Sequence, residues 1–314
     1  MAVRTEEAAY PVVYIACRVC GADAPRWLGI RGNAEYSGAP PLEPSEPHRV
    51  TNVVTCRACG FVYTNPLIVL PPDDHRQPYH DAEAYVPYAG DPTRVIERVL
   101  RQLERLIGRR GRLLDVGAGK GEFLLVAKRR GWEVCGVEPS PGLAAHAQAV
   151  QGLPVSSRSL DEAGWPEASF DAVTLNMVLE HVDDPNSLLR SLHRVLAPGG
   201  VLFIEVPNLE SLLLRAIRLY FRLRGRDWSP LLSPLHWPYH CYGYRARTVR
   251  TLAERNGFRV AACRTAGLGP RGFRESPKIR ALESVGRALV MRVGGALGWG
   301  DVLMVYCRKQ ATLG

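Results

Sequence analysis

Four cysteines near the amino terminus have the spacing of a metal site. They form two pairs, Cys17 with Cys20 and Cys56 with Cys59, and a glycine follows the second cysteine of each pair. A gap of two residues lets both thiolates of one turn reach the same ion, and two such turns complete a tetrahedral zinc site. Four thiolate ligands leave no open position for a substrate, so the predicted zinc is structural. The Pro/Glu-rich stretch 39–48 between the pairs is interpreted as an insertion at a ribbon tip.

A glycine-rich loop is the second candidate site. Asp115 precedes Gly117, Gly119 and Gly121, which have the spacing G-x-G-x-G and not the G-x-G-x-x-G of dinucleotide-binding loops. Glycines let the backbone approach a ligand closely, and the helix that follows presents free N–H groups. The carboxylate of Asp115 would repel a diphosphate and attract a cationic amino-acid ligand. This loop therefore favours a ligand other than a dinucleotide.

Two histidines are candidates for a catalytic base, because imidazole is the side chain best tuned to remove a proton near neutral pH. His181 follows a predicted buried strand on the expected ligand side. His240 lies in an aromatic stretch with Trp237, Tyr239 and Tyr242. Either histidine has the alternative role of a hydrogen-bonded structural residue that anchors its loop, and His181 is the weaker candidate.

The elements that must position these residues alternate between helix and strand. Short apolar runs bounded by turn residues predict strands, and the segments between them have helical spacing. Strand, helix and strand with short connections imply an α/β fold with a parallel, doubly wound sheet and with ligands at the carboxyl ends of its strands. The predicted strands are 112–116, 133–137, 172–176, 201–206, 258–266 and 301–309, with helices at 185–196 and 279–297.

Four motifs between residues 91 and 208 carry a family resemblance. LLDVGAGKGEF, VCGVEPS, FDAVTLNMVLEHVDDP and LAPGGVLFIEVPN together resemble the class I S-adenosylmethionine-dependent methyltransferases, and in particular the branch of the ubiquinone-pathway O-methyltransferases. The resemblance implies a Rossmann-like, mostly parallel seven-stranded sheet and S-adenosylmethionine as methyl donor. It also implies a small-molecule acceptor, such as a natural product, glycan or quinone-like compound, methylated on oxygen or carbon. A zinc ribbon ahead of such a domain also occurs in this superfamily.

The same resemblance implies the donor pocket. Asp115 would lie near the amino group of the methionine moiety, and Glu138 would accept hydrogen bonds from the ribose hydroxyls. Relatives usually have Asp where Ser159 stands, which weakens the expected contact with the adenine amino group. The remaining residues of the implied donor pocket are Gly117, Ala118, Gly119, Gly121, Pro139, Leu160 and Asn176.

The resemblance also bears on the two histidines. Related ubiquinone-pathway enzymes have an E-x-x-E-H run, proposed to hold a metal, where this chain has Met177 in place of the first acid. A metal is therefore not expected, and Glu180 with His181 would brace the loop. His240 lies in a segment that resembles the H-x-Y-x-F/Y run bordering the acceptor pocket in relatives.

The positive charge is concentrated in the last third of the chain. The net charge is +9, and residues 209–314 contain 19 basic and 6 acidic groups. Residues 209–238 are predicted to form an insertion, and residues 209–226 within it are predicted to form a basic amphipathic helix. Three roles are open for this helix: a lid over the pocket, a homodimer contact or a membrane-surface anchor. The first two are preferred. Its predicted apolar face is formed by Leu209, Leu212, Leu213, Ala216, Ile217 and Tyr220.

The domain organisation predicted from these features is a zinc-ribbon module at 1–65, a linker or lid at 66–90 and a methyltransferase domain at 91–314. The composition, with 46% hydrophobic and 23% charged residues, excludes a disordered chain. A cytoplasmic location is expected, since the start of the chain does not resemble a signal peptide. Two alternative functions remain, an RNA methyltransferase and a non-catalytic S-adenosylmethionine-binding protein. Nucleic acid is not the expected partner, because the ribbon module is net acidic.

Overall fold

The structure is a computed structural model of the 314-residue chain. It describes residues 11–31, 51–68, 92–225, 229, 232, 240–267, 293–295 and 297–310. Several predicted features lie outside the described residues. They are the stretch 39–48, nearly all of the predicted linker, His236, Trp237 and Tyr239 of the aromatic stretch, and most of the predicted helix 279–297.

A seven-stranded sheet forms the centre of the molecule. The strands along the chain are β1 (Val12–Val13), β2 (Pro25–Arg31), β3 (Thr51–Cys56), β4 (Val62–Thr64), β5 (Leu67–Ile68), β6 (Arg112–Val116), β7 (Glu133–Val137), β8 (Val155–Ser156), β9 (Phe170–Asn176), β10 (Leu196–Pro207), β11 (Tyr242–Gly243), β12 (Phe258–Ala266) and β13 (Val302–Lys309). The large sheet has the order β12-β13-β10-β9-β6-β7-β8, and β13 alone runs antiparallel to its neighbours. This confirms the predicted mostly parallel, doubly wound fold.

Helices cover both faces of this sheet. They are α1 (Thr93–Ile107), α2 (Glu122–Arg129), α3 (Pro141–Ala149), α4 (Pro185–Val195), α5 (Leu212–Leu223) and α6 (Ala246–Arg255). Buried residues of α1, α2 and α3 pack on one face, and those of α4 and α6 pack on the other. Burial on both faces explains why the central strands are continuous apolar runs. No helix among the described residues has the length and apolar character needed to cross a membrane.

Capping residues mark the first turn of α3 and of α4, the two helices that border the site. Ser140 accepts a hydrogen bond from the N–H of Leu143, and Pro141 occupies the first turn of α3. Asp184 accepts one from the N–H of Asn186 at the start of α4. Each cap satisfies a backbone donor that the helix itself leaves unpaired.

The small amino-terminal sheet is completed by a strand from the carboxyl-terminal half. Its order is β11-β4-β3-β2, and Tyr242 of β11 pairs with Tyr63 of β4. Phe61 packs its ring 5.7 Å from Tyr242 and 5.3 Å from Tyr244, and all of these side chains are buried. The cysteine-bearing segment therefore shares a core with the large sheet. The boundaries 1–65, 66–90 and 91–314 stay a prediction.

Helix α5 packs against the outer face of the small sheet. Leu214 is its buried residue, and it belongs to a cluster with Val53, Val62 and Leu209. Leu214 is absent from the predicted apolar face, whereas Leu209 and Ile217 of that face pack in the same cluster and Ala216 is exposed, so the predicted face is correct only in part. The helix also spans 212–223, which is shorter than the predicted 209–226. Tyr220, predicted to pack, is 53% exposed.

Candidate functional site

The glycine loop joins β6 to α2 at the carboxyl edge of the sheet. Gly117, Gly119 and Gly121 have φ angles of 75°, 54° and 86°, a region that other residues rarely adopt. A Cβ atom on Gly117 would lie 2.4 Å from the Val178 side chain, so the loop after β9 lies directly against the glycine loop. The predicted glycines are therefore required by backbone conformation and, at Gly117, by close packing.

Glu138 holds the glycine loop together. Its carboxylate accepts one hydrogen bond from the N–H of Gly119 and another from the N–H of Ser140, both at 2.8 Å. The residue is 8% exposed and follows β7. A carboxylate has about four acceptor sites, so one carboxylate can accept hydrogen bonds from several donors at the same time. The ribose contact predicted from the resemblance stays a prediction, and the structure adds a positioning role.

Asp115 is buried beneath the loop. Thr174 Oγ1 donates to its carboxylate at 2.6 Å, and Asn176 Nδ2 donates to the same oxygen at 3.0 Å. Burial raises the pKa of Asp115 to about 7, against the lowering effect of these two hydrogen bonds. Thr174 was missed from the sequence. Its signal was its position two residues before Asn176, since alternate strand residues share a face.

The other predicted donor-pocket residues are dispersed around this centre. Ser159 Oγ donates a hydrogen bond to the carboxylate of Glu162 at 2.8 Å, so this hydroxyl stabilises the turn between the two residues. Leu160 and Ala118 are buried, and Pro139 is exposed beside Glu138. Their contacts with a donor molecule stay predictions.

The two candidate histidines meet at one buried carboxylate. Glu180 Oε1 lies 3.7 Å from Nε2 of His240 and 4.0 Å from Nε2 of His181, and the imidazole centroids are 4.8 Å apart. Glu180 is fully buried, and its carbonyl accepts a hydrogen bond from the N–H of Cys241 at 2.9 Å. His181 and His240, the two candidates for the base, thus belong to a single cluster. It is here called the Glu180 cluster (Glu180, His181 and His240).

The Glu180 cluster also has the composition of a metal site. One donor atom from each of its three residues lies within 4.8 Å of the others. Imidazole and carboxylate together suit divalent transition metals. Met177 does not supply a ligand oxygen, and His240 provides the third donor from a distant part of the chain. A metal was not expected because Met177 replaces the first acid of the run. The fold weakens this argument, since His240 can take the place of the missing ligand. Met177 itself adopts a left-handed φ of 56° at the end of β9.

The four amino-terminal cysteines converge as predicted. The sulfurs of Cys17 and Cys59 are 3.5 Å apart, as are those of Cys20 and Cys56, and all four lie within 4.8 Å of one another. Zinc bound tetrahedrally at about 2.3 Å requires sulfurs about 3.8 Å apart. The donor set and the spacing fit this ion. Burial raises the pKa of the Cys59 thiol to about 11, so binding a dication there would release protons.

Comparisons with known proteins identify the family. The profile of a family described as "Methyltransferase domain" matches residues 88–262. A ubiquinone biosynthesis O-methyltransferase of Caulobacter sp. (strain K31) is 36% identical over 140 residues, which are 39% of this chain and 54% of that protein. The corresponding protein of Pseudomonas syringae pv. tomato is 37% identical over 103 residues, covering 31% of this chain and 44% of its own. The match thus spans about half the length of these curated relatives.

A solved structure shares the fold. The 1,6-didemethyltoxoflavin-N1-methyltransferase of Burkholderia thailandensis, determined with 1,6-didemethyltoxoflavin and S-adenosylhomocysteine, aligns with a TM-score of 0.51 and 17% identity. The alignment covers 83% of this chain and 96% of that one. With the profile match over more than half of its residues, this chain belongs to the methyltransferase domain family.

Proposed function

We propose that the protein transfers a methyl group from S-adenosylmethionine to a hydroxyl oxygen of a small-molecule acceptor. The observation that carries the proposal is the contact between Val178 and Gly117. It joins the glycine loop, which is the proposed donor site, to the segment that bears Glu180 and His181. A donor site and a proton-accepting site thus lie along the same edge of the sheet.

Donor binding is supported by the chemistry around the glycine loop. Buried Asp115 offers a carboxylate to the ammonium group of the methionine moiety, and Glu138, hydrogen-bonded to the glycine loop, offers a carboxylate to the ribose hydroxyls. The bound S-adenosylhomocysteine of the Burkholderia protein, which shares this fold, is consistent with such a site. The names of the ubiquinone-pathway relatives favour an oxygen acceptor.

The reaction requires alignment and the removal of one proton. The acceptor oxygen attacks the methyl carbon, the bond between that carbon and the sulfonium sulfur breaks, and S-adenosylhomocysteine leaves. His240 accepts the hydroxyl proton, and the buried carboxylate of Glu180 stabilises the imidazolium that forms. His181 adds a second imidazole beside the same carboxylate.

The proposal is tested by measuring S-adenosylhomocysteine release with panels of phenols, quinols, sugars and RNA. We expect turnover with a hydroxyl-bearing small molecule. His240→Gln should lower kcat by about 10²–10⁴-fold, the usual contribution of a general base, while the affinity for S-adenosylmethionine stays within about twofold. His146→Gln, on α3, is the matched control. Turnover with RNA alone, or donor binding without turnover on any acceptor, would contradict the proposal.

A second candidate role for the Glu180 cluster is metal binding, favoured by its three clustered donor atoms. Glu180, His181 and His240 would hold a divalent cation, which would lower the pKa of a coordinated acceptor hydroxyl. Dialysis against a chelator followed by titration with Mg²⁺, Mn²⁺ or Zn²⁺ separates the two roles. Activity that survives chelation supports the base. Activity restored by one cation, together with its stoichiometric binding lost in His181→Gln, supports the metal.

We also propose that Cys17, Cys20, Cys56 and Cys59 hold one structural zinc ion per chain. The donor set and sulfur spacing support this assignment. Elemental analysis of protein purified without chelator should find about one zinc per chain. A metal-free protein with unchanged thermal stability would contradict the assignment.

A further inference from the structure

A basic groove lies on the face of the large sheet that carries α4 and α6. Its volume is about 1470 Å³, and one end is formed by the segment around β1. No residue assigned to the donor pocket or to the Glu180 cluster lines it. The charged residues that line it are the basic residues Arg18, Arg190, Arg194, Arg255, Arg259, Arg308 and Lys309 and the acidic residues Glu167 and Asp184.

Much of this positive charge is not neutralised by acids among the described residues. Arg190, Arg255 and Arg259 are exposed, and none of them forms an ion pair with an acid in the described parts of the chain. Asp184 is already 3.9 Å from Arg18. Burial and the charge of Lys309 lower the pKa of His193, as expected where cations crowd together. The groove therefore attracts anions.

The composition of the groove favours a protein over a nucleic acid or a free phosphate. Among the described lining residues Tyr14 is the one Phe, Tyr or Trp, so the groove lacks the series of aromatic side chains on which successive unpaired bases stack. Val13 and Tyr14, 47% and 74% exposed, add an apolar surface at one end. Arg and Tyr are the residue types that dominate binding energy at protein interfaces. The volume also exceeds the ~300–1,000 Å³ of ordinary small-molecule clefts.

We propose that this groove docks an acidic segment of a partner protein. Carboxylates of the partner pair with Arg190, Arg255 and Arg259, and apolar side chains next to them contact Val13 and Tyr14. Guanidinium groups suit this role because they bind carboxylates through two parallel hydrogen bonds. Because no residue assigned to the donor pocket or to the Glu180 cluster lines the groove, the docking is compatible with the proposed methyl transfer.

The test uses a labelled 16-residue peptide of repeated Glu-Leu-Glu-Ala and its counterpart with Gln for every Glu. Fluorescence anisotropy at low salt should show binding of the acidic peptide only. The triple variant R190Q/R255Q/R259Q should weaken that binding about tenfold or more, since three partly exposed pairs are lost. The control R94Q/R98Q/R105Q removes three exposed arginines from α1, on the opposite face, and should change the affinity less than about twofold.

Three outcomes would overturn the proposal. The first is no measurable binding of the acidic peptide, and the second is equal weakening by both triple variants. The third is tighter binding of a 16-nucleotide oligo-dT or of inorganic triphosphate that depends on the same arginines, which would assign the groove to phosphates. Unchanged thermal unfolding and S-adenosylmethionine affinity in both variants establish that the comparison concerns the groove alone.

Discussion

At the scale of single residues, Asp115 has an environment that links donor binding to pH. Burial raises its pKa to about 7, well above the ~3.9 of an exposed Asp. The folded protein therefore favours the protonated form of Asp115. The contribution of this group to the free energy of unfolding is present below about pH 4 and is lost as the pH rises through about 7. A cationic ligand group would favour the opposite, ionised form.

We therefore predict that S-adenosylmethionine binds more tightly as the pH rises through about 7 and that binding releases a proton below that pH. Calorimetry in buffers of different ionisation enthalpy measures the proton release directly. Asp115→Asn should abolish both the release and the pH dependence. Proton release that persists in the variant would show that another group titrates.

Glu138 combines a structural and a ligand-binding task. Its two bonds to the N–H groups of Gly119 and Ser140 shape the loop, and we propose that the same carboxylate accepts hydrogen bonds from the ribose hydroxyls. We predict that Glu138→Ala weakens S-adenosylmethionine binding by about 1.5–3 kcal/mol, or ten- to a hundredfold. Glu133→Ala, at the other end of β7 and paired with Arg112 at 3.0 Å, is the control. Equal affinities of the two variants by calorimetry would mean that the pocket is misplaced.

At the scale of elements, the small sheet connects the cysteine cluster to the Glu180 cluster. Strand β11 begins two residues after His240, pairs with β4 and packs on Phe61 through Tyr242. The N–H of Thr64 donates to the carbonyl of Cys241, whose own N–H donates to the carbonyl of Glu180. A loss of order around the cysteines therefore reaches the histidine proposed as base.

We predict that Cys56→Ser lowers the thermal stability and the zinc content and reduces methyl transfer more than donor binding. The reason is that β11 rests on the ribbon, whereas the glycine loop rests on the large sheet. Cys263→Ser, in β12 and outside the four-cysteine cluster, should leave all three measurements close to those of the unchanged protein. If donor affinity and turnover fell together in Cys56→Ser, the ribbon would support the whole fold and not β11 in particular.

At the scale of the whole molecule, α5 has less free surface than its sequence suggests. Leu214 packs on the small sheet, and Arg218 is turned inward, where it donates to the carbonyl of Leu209. Leu219 and Leu223, 58% and 80% exposed, remain at the carboxyl-terminal end of the helix. With Tyr220, this end forms only a short apolar surface, which argues against a continuous membrane-binding face; the roles of lid and dimer contact stay predictions.

We accordingly predict no flotation of the protein with vesicles of anionic lipid at low salt. The result is compared with Leu219→Glu/Leu223→Glu, which would remove any apolar insertion. Salt-sensitive flotation that disappears when Arg215, Arg222 and Arg224 are replaced by Gln would contradict this and favour a membrane-surface role, in which each basic residue contributes about 1 kcal/mol.

The sequence alone determined the features that depend on neighbouring residues. Strands 112–116, 133–137 and 258–266 were predicted with the bounds that the structure has, because an apolar run between turn residues is a local signal. The glycine loop and the cysteine pairs were recognisable for the same reason, because turn residues and ligand spacing are patterns of a few neighbouring residues.

Only the tertiary structure decided which distant segments meet. His240 reaches Glu180 from 60 positions away, and Tyr242 joins a sheet whose other strands lie before residue 65. Leu214 is buried together with Leu209, whereas Ala216 and Tyr220 of the predicted face are exposed, because the small sheet covers only one side of α5. Such contacts depend on which faces pack together, and the order of residues along the chain does not encode this choice locally. For that reason only the structure shows that His181 and His240 belong to one cluster. It also shows that several basic residues line one groove.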